Sequence, residues 1–238
     1  MHTENGKIET ITRRRMLAVM GGAAAALLSG CGRDEEIPTD ESGPCPLTPE
    51  QEVGPFYVDE GIVRSDLLDG QSGIPLDLWI KVLAAKTCEP LVNAAVDVWS
   101  ANAAGKYSDI KREGNDGEKF LRGIQMTDGE GFVKFKTIYP GWYSGRICHV
   151  HLKVHTGGRA NGSNYIGDDS RIVHTGQLFF PPEINEALRP IYPDNKNEFV
   201  NNDKDRVYRK QGGRRSVVTL EGSLAAGFAA TAIVDVQV

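Results

Sequence analysis

The sequence predicts an all-β chain folded as an antiparallel β-sandwich with long functional loops. Three observations lead there. Apolar and polar residues alternate over short runs, as in half-buried strands. Turn chemistry separates those runs in a chain of 27 glycines and 12 prolines. No long amphipathic helical pattern alternates with the strands, as a βαβ fold would require. The 238 residues suffice for one sizeable core or two small ones. A net charge of -5, with no basic block beyond the N-terminus, argues against nucleic acid as a partner, because phosphate binding needs clustered Lys and Arg. Internal repeats, a phosphate loop and a nucleophile elbow are all absent from the sequence.

In chain order, Thr12-Arg13-Arg14-Arg15-Met16-Leu17 sets paired arginines ahead of an apolar run from Met16 to Gly30, shorter than the roughly 20 residues that span a bilayer. The run ends Leu28-Ser29-Gly30-Cys31. Residues 1–30 resemble a twin-arginine export signal joined to a lipoprotein processing box. That resemblance implies cleavage before Cys31, a lipid on its sulfur, and a periplasmic or cell-surface location in which Cys31 is the only link to the membrane. An uncleaved anchor or a plain secreted protein are the other readings. Residues 31–50, acidic and proline-rich without apolar periodicity, read as a flexible tether, and 51–238 as the folded domain. Outside the cytoplasm a disulfide persists, and Cys45 with Cys88 is the expected pair, both lying in turn-like, proline-rich contexts. Cys148 reads as a buried packing residue.

Within the domain, Gly54-Pro55-Phe56-Tyr57 is a turn presenting two aromatics, and Tyr57 reads either as core or as a pocket wall that contacts substrate. Leu76, Leu78, Ile80 and Val82 alternate against Asp77, Trp79 and Lys81 as a strand. A second strand covers Ala95 to Trp99 and, after the turn Thr127-Asp128-Gly129, a third carries Val133 and Phe135. Ser108 to Gly117 and Thr156 to Asp169 read as loops. Gln177 to Pro181 reads as a strand stopped by proline, Pro182 to Leu188 as a short helix, and Asp194 to Lys210 as irregular or helical surface. Ser216 to Leu220 and Ala232 to Val236 close the sandwich.

The most informative stretch is Tyr139-Pro-Gly-Trp-Tyr-Ser-Gly-Arg-Ile-Cys-His-Val-His-Leu-Lys-Val154. Residues 147 to 154 alternate so that His149 and His151 share one face, while Cys148, Val150, Leu152 and Val154 share the other. Two imidazoles on a rigid strand, beside Arg146 and the phenols of Tyr139 and Tyr143, make half of a candidate metal site. A solvated His-x-His face is the bland alternative.

Taken with Trp99 to Tyr107, Thr127-Asp128-Gly129 and Gln177-Leu-Phe-Phe-Pro181, this stretch resembles the intradiol ring-cleavage dioxygenases of the catechol and protocatechuate type, in the right order from about Gly54 to Pro181. The resemblance implies an immunoglobulin- or transthyretin-like sandwich and a non-haem Fe(III) ion held by Tyr107, Tyr143, His149 and His151. It implies that a catechol-type substrate displaces the Tyr143 tyrosinate and chelates iron as a dianion. O2 then attacks a ring carbon, and the ring opens between its two hydroxyl-bearing carbons to a cis,cis-muconate-type diacid. Arg146 takes the place of an arginine that stabilises carbanion character on the ring, and Gln177 that of a polar residue orienting ligands or oxygen. Only Ser144-Gly145 separates Tyr143 from Arg146, where the relatives carry a longer insertion. This compact form resembles an extracytoplasmic branch of the family and implies a more open pocket. Relatives associate, and a homodimer is the expected assembly.

Two rival readings remain at the level of sequence. Ala94-Ala95-Val96, Thr127-Asp128-Gly129 and Pro140-Gly141 also resemble non-catalytic transthyretin-like or carboxypeptidase-regulatory sandwiches that bind at cell surfaces. A zinc site from His149, His151 and a carboxylate such as Asp109 is the third.

Overall fold

A computed structural model describes residues 45–167 and 171–238. The export segment 1–30, Cys31 and residues 31–44 of the expected tether lie outside the described residues. The body is two sheets face to face. Strand β1 (Pro75–Ala84) is central in the first, pairing antiparallel with β5 (Phe132–Ile138), with the two-residue β2 (Glu89–Pro90) at its C-terminal end, and parallel with β11 (Gly227–Val236), which pairs in turn with β10 (Thr219–Ser223). The second sheet runs β4 (Arg122–Met126), β3 (Ala95–Ser100), β6 (His149–His155), β9 (Ile172–Phe179), antiparallel throughout. The all-β sandwich is therefore as expected, with the β1·β11 ladder as its parallel exception. A hairpin would force antiparallel pairing, but β11 reaches β1 after a long excursion that leaves its direction open.

The core lies between the sheets. Leu76, Leu78, Ile80 and Val82 of β1 and Phe228, Ala230, Ala232 and Val234 of β11 meet Val96 and Val98 of β3 and Val150, Leu152 and Val154 of β6. On the far side of the first sheet Trp79, Ile233, Lys134 and Lys136 face solvent. The second sheet differs: every residue of β3 and β6 is buried, on both faces. Its outer face is roofed by the segment from Gln51 to Asp66, the loop between β3 and β4, and the chain after α1 (Pro182–Ala187), including α2 (Arg206–Lys210). Any site built there is shielded from water.

Some boundaries differ from expectation. Strand β4 was not expected, because Arg122-Gly-Ile-Gln-Met126 lacks alternation; its first three residues are buried and its last two half-buried. The expected loop Thr156 to Asp169 contains a hairpin of β7 (Arg159–Asn161) and β8 (Asn164–Ile166), and the loop Ser108 to Gly117 contains a 3-10 turn at Lys111–Glu113. Ser216 sits in another 3-10 turn, so β10 starts at Thr219. The Cys45–Cys88 disulfide is present and Cys148 is a buried free thiol. At the tether's described end, the Cys45 N–H donates to Ala85 and the Thr48 N–H to Asp235. Among the described residues no helix is long and apolar enough to cross a membrane.

His174 on β9 gives the fold a pH dependence. It is buried, and its Nε2 has no hydrogen-bond partner among the described residues. Burial pushes its pKa down from 6.5 to about 4. Between those values the unfolded chain binds a proton that the folded chain refuses, so stability falls as pH drops through this window, by roughly 3 kcal/mol in all at about 1.4 kcal/mol per unit. His174→Leu should flatten that decline. Urea midpoints at pH 7 and pH 4.5 that move in parallel for wild type and variant would show another group to be responsible.

Candidate metal centre

The second sheet is built so that Arg122, Trp99, His151 and Gln177 form one row across β4, β3, β6 and β9, each opposite the next in register. Residues in register share a face, and this one is the roofed face. His149 is two residues from His151 on β6 and points the same way. The strand alternation thus separates the imidazoles from the apolar core beneath, as expected.

The two tyrosines come from loops, and two glycines bring those loops together. A Cβ on Gly105 would lie 2.1 Å from the carbonyl oxygen of Trp142, and one on Gly141 would lie 2.5 Å from that of Ala103. Only bare backbone permits such an approach. Asn195 bonds both loops from the C-terminal segment, its Nδ2 donating to the carbonyls of Trp142 at 2.8 Å and Ala103 at 3.2 Å. Buried Arg122 braces the Tyr107 loop by donating from Nε to Ser108 Oγ at 2.8 Å and from Nη2 to the carbonyls of Ser108 and Phe56. Leu121, where that loop enters β4, is fully buried with a φ of 55°. A left-handed leucine costs on the order of 1 kcal/mol, so the surrounding contacts impose this turn.

The polar atoms then converge. His149 Nε2 lies 3.0 Å from His151 Nε2 and 3.4 Å from the Tyr107 hydroxyl. The Tyr107 and Tyr143 rings meet edge to face at 5.6 Å, and Tyr143 lies 5.5 Å from the His149 ring. Phe56 stacks on Tyr107 at 4.4 Å, and Trp99 stacks on His151 at 4.8 Å. Tyr107 is about 1% exposed and Tyr143 only half-buried. The Tyr143–Arg146 turn, closed by Arg146 N–H donating to the Tyr143 carbonyl at 2.9 Å, folds the arginine back on the phenol, where Nη1 donates to the Tyr143 oxygen at 3.1 Å. Arg146 Nη2 donates to Gln177 Oε1, and Nε donates to Asp205 at 2.9 Å. Gln177 is held as well, its backbone N–H by Gln51 Oε1 at 2.7 Å and its side-chain amide by the Glu52 carbonyl at 2.8 Å.

This arrangement fits a metal ion. His149 Nδ1 sits 2.5 Å from the Ile147 carbonyl, which only an N–H can face, so Nε2 carries the lone pair. That lone pair points at the other imidazole, whose Nδ1 has no partner among the described residues. Burial, reinforced by the Arg146 charge, drives both imidazole pKa values far below the ordinary histidine value, so both stay neutral and able to ligate. Burial likewise raises the phenol pKa values of Tyr107 and Tyr143, against the pull of Arg146. A trivalent cation reverses that cost, because phenolates are hard anionic ligands for it. Among the described residues no three His, Cys, Asp or Glu side chains are grouped to hold a metal, so the zinc reading with Asp109 gains no support. The phenols complete the donor set.

Of the other expected site residues, Tyr139 is fully buried, its hydroxyl donating to Asn185 at 2.9 Å, and belongs to the core. Tyr57 stands behind Trp99, its ring 4.8 Å away, and donates its hydroxyl to Asp97 at 3.1 Å. It lines a separate pocket of about 490 Å3 with Asp59, Asp97, His155 and Tyr165. The aromatic covering the tyrosines is its neighbour Phe56. Arg122 and Asp205 carried no periodic or motif signal, apart from the helix-capping position of Asp205 ahead of Arg206, and Phe56 was legible only as one of two aromatics after the Gly54-Pro55 turn.

Known proteins similar to this chain are dioxygenases. Residues 53–161 match the family model described as Dioxygenase. The chain is 32% identical over 161 residues to the protocatechuate 3,4-dioxygenase beta chain of Burkholderia cepacia, covering 62% of this chain and 61% of that one. It is 34% identical over 139 residues to a catechol 1,2-dioxygenase of Candida albicans, covering 49% and 45%. The chain thus spans roughly half the length of the curated relatives it matches. The solved intradiol ring-cleavage dioxygenase of Tetranychus urticae superposes with a TM-score of 0.70 at 25% identity, covering 81% of this chain and 95% of that one. The 3-chlorocatechol 1,2-dioxygenase of Rhodococcus opacus, at 19% identity and a TM-score of 0.55, shares the fold. Residues 53–161 thus match a dioxygenase family model, and the sandwich that holds them is similar to that of a solved intradiol ring-cleavage dioxygenase.

Proposed function

We propose that the chain is an Fe(III)-dependent intradiol dioxygenase that opens a catechol-type diol between its two hydroxyl-bearing carbons with O2, giving a cis,cis-muconate-type dicarboxylate. The observation that carries this reading is the convergence of two phenols and two neutral imidazoles on one buried point, with Arg146 bonded to the more exposed phenol. Tyr107, Tyr143, His149 and His151 would hold the ion. When bound, Fe(III) supplies an electron-withdrawing centre that activates a catecholate ring toward O2.

The protein's own groups do the rest. Tyr107 is sealed under Phe56 and serves as a permanent ligand, whereas half-buried Tyr143 is the one that yields to substrate. Its oxygen accepts a proton from the incoming diol, and Arg146 Nη1 keeps a partner on that oxygen afterwards. The fixed guanidinium also faces negative charge developing on the ring, a form of preorganised electrostatic stabilisation. Gln177 holds the guanidinium edge from the strand opposite His151. A sandwich that only binds gives no reason to bury two neutral imidazoles, one with an unpartnered Nδ1 among the described residues, under two tyrosines.

Export through residues 1–30, a lipid on Cys31 and assembly as a homodimer complete the proposal on the sequence features described above.

The first test is a visible spectrum with metal analysis of the purified full chain, before and after catechol under anaerobic conditions. We expect about one iron per chain, a tyrosinate colour, and a shift to longer wavelength with catechol. A colourless protein that cannot be loaded with iron would end the reading. Tyr107→Phe and His149→Ala should each lower iron content and bleach the band; wild-type iron and oxygen uptake in both would remove these residues from the ligand set. Arg146→Gln should keep iron and colour yet lose roughly 100- to 1,000-fold in turnover, the scale typical of a lost charge-stabilising donor. Full activity in that variant contradicts its role. Cys31→Ser should move the chain from the membrane to the soluble fraction, and an unchanged distribution would argue against lipidation.

A further inference from the structure

Asp205 lies beyond the residues that match the family model, in a segment that reads in sequence as irregular or helical surface. Its side chain is nevertheless fully buried and accepts four N–H donors. Oδ1 takes the N–H groups of Val207 at 2.8 Å and Tyr208 at 3.1 Å, capping α2. Oδ2 takes Arg146 Nε–H at 2.9 Å and the Ile147 N–H at 2.9 Å. The capping bonds tether the carboxylate to the helix and leave its second oxygen aimed at the site.

That second oxygen braces two of the four convergent side chains. Through Arg146 it reaches Tyr143, because with Nε fixed the planar guanidinium can direct Nη1 only to the phenol and Nη2 only to Gln177. Through Ile147, whose carbonyl accepts from His149 Nδ1, it reaches one imidazole. Asp205 pairs with Arg146 at 11% exposure, where a charge left alone is costly, so neither partner is free to swing away.

We propose that Asp205 is the positioning residue of this site, setting the angle at which Arg146 meets Tyr143 and hence the ease with which that phenol gives way to substrate. The proposal rests on the dioxygenase reading. Asp205 touches no reacting atom; it acts through Arg146 and Ile147.

Asp205→Asn separates this role from capping, since an amide has one acceptor oxygen and cannot satisfy both pairs of donors. Asparagine is as good a cap as aspartate, so the oxygen stays with α2 and an NH2 group meets Arg146 and Ile147. In the iron-loaded chain kcat should fall on the order of 10- to 100-fold, as for other outer partners of metal ligands, with KM for catechol moving far less. In an Arg146→Gln background the same change should cost kcat little, because the two act as one unit. In the metal-free chain the Arg146 Nε–H resonance, slow to exchange with water in the wild type, should broaden in Asp205→Asn.

A variant with wild-type kcat and an unchanged Nε–H signal but a lower melting temperature would make Asp205 a helix cap alone. A wild-type Nε–H that exchanges as fast as that of a solvated arginine would overturn the proposal whether or not the variant folds. If wild type opens no catechol yet the Nε–H signal responds as described, the dioxygenase reading fails and the orientation of Arg146 by Asp205 stands.

Discussion

Burial of β6 on both of its faces is the constraint on which the rest of the structure depends. One face carries Val150, Leu152 and Val154 into the core, and the other carries His149 and His151 under a roof of loops. An imidazole nitrogen deprived of water must find a partner, and here burial also forbids protonation. The chain meets that demand by bringing two phenols to the same point, with the Tyr107 hydroxyl and the two Nε2 atoms in mutual reach, an arrangement that suits a cation. Neutral imidazoles and phenols whose pKa values are raised both follow from burial under that roof.

The roof is made of segments far apart in sequence. Gln51 and Phe56 come from before the first strand, Arg122 from β4, Asn195 and Asp205 from after the last strand of the second sheet. Each makes hydrogen bonds or ring contacts with a loop or side chain of the site, and Gly105 and Gly141 let the two tyrosine loops touch. The Cys45–Cys88 disulfide pins the start of this roof to the turn after β1, and Gln51, six residues on, reaches both Gln177 and the C-terminal Gln211 and Ser216. Precise placement of a few side chains therefore draws on nearly the whole described chain, which accords with the long-range character of sandwich folds.

The two arginines of the site divide its electrostatics. Arg122, wholly buried, is spent on backbone carbonyls and Ser108 and stabilises the loop that ends at Tyr107. Arg146 is at the edge, shared among Tyr143, Gln177 and Asp205. One phenol is thus held by a packed loop and a stacked ring, the other by a hydrogen bond that can be exchanged. That difference in attachment is the physical basis for assigning them different roles.

The sequence by itself determined strands β1, β3, β5 and β6 and the two histidine donors. Alternation in β1 and β5 survives because a half-buried strand must place apolar groups every second residue, and in β6 the same period separates Val150, Leu152 and Val154 from the His-x-His pair although both faces are buried. Tyr143 and Arg146 were legible as neighbours of the histidine strand, whereas Tyr107 and Gln177 were legible only through a family resemblance. Tertiary structure alone decided that Phe56 rather than Tyr57 covers the phenols, that Arg122 is buried, that β11 joins β1 in parallel, and that Asp205 reaches the site. Each of these is a contact between residues tens of positions or more apart along the chain. Local patterning reports which face a residue prefers, whereas the partner waiting there is set by how the sheets and loops close.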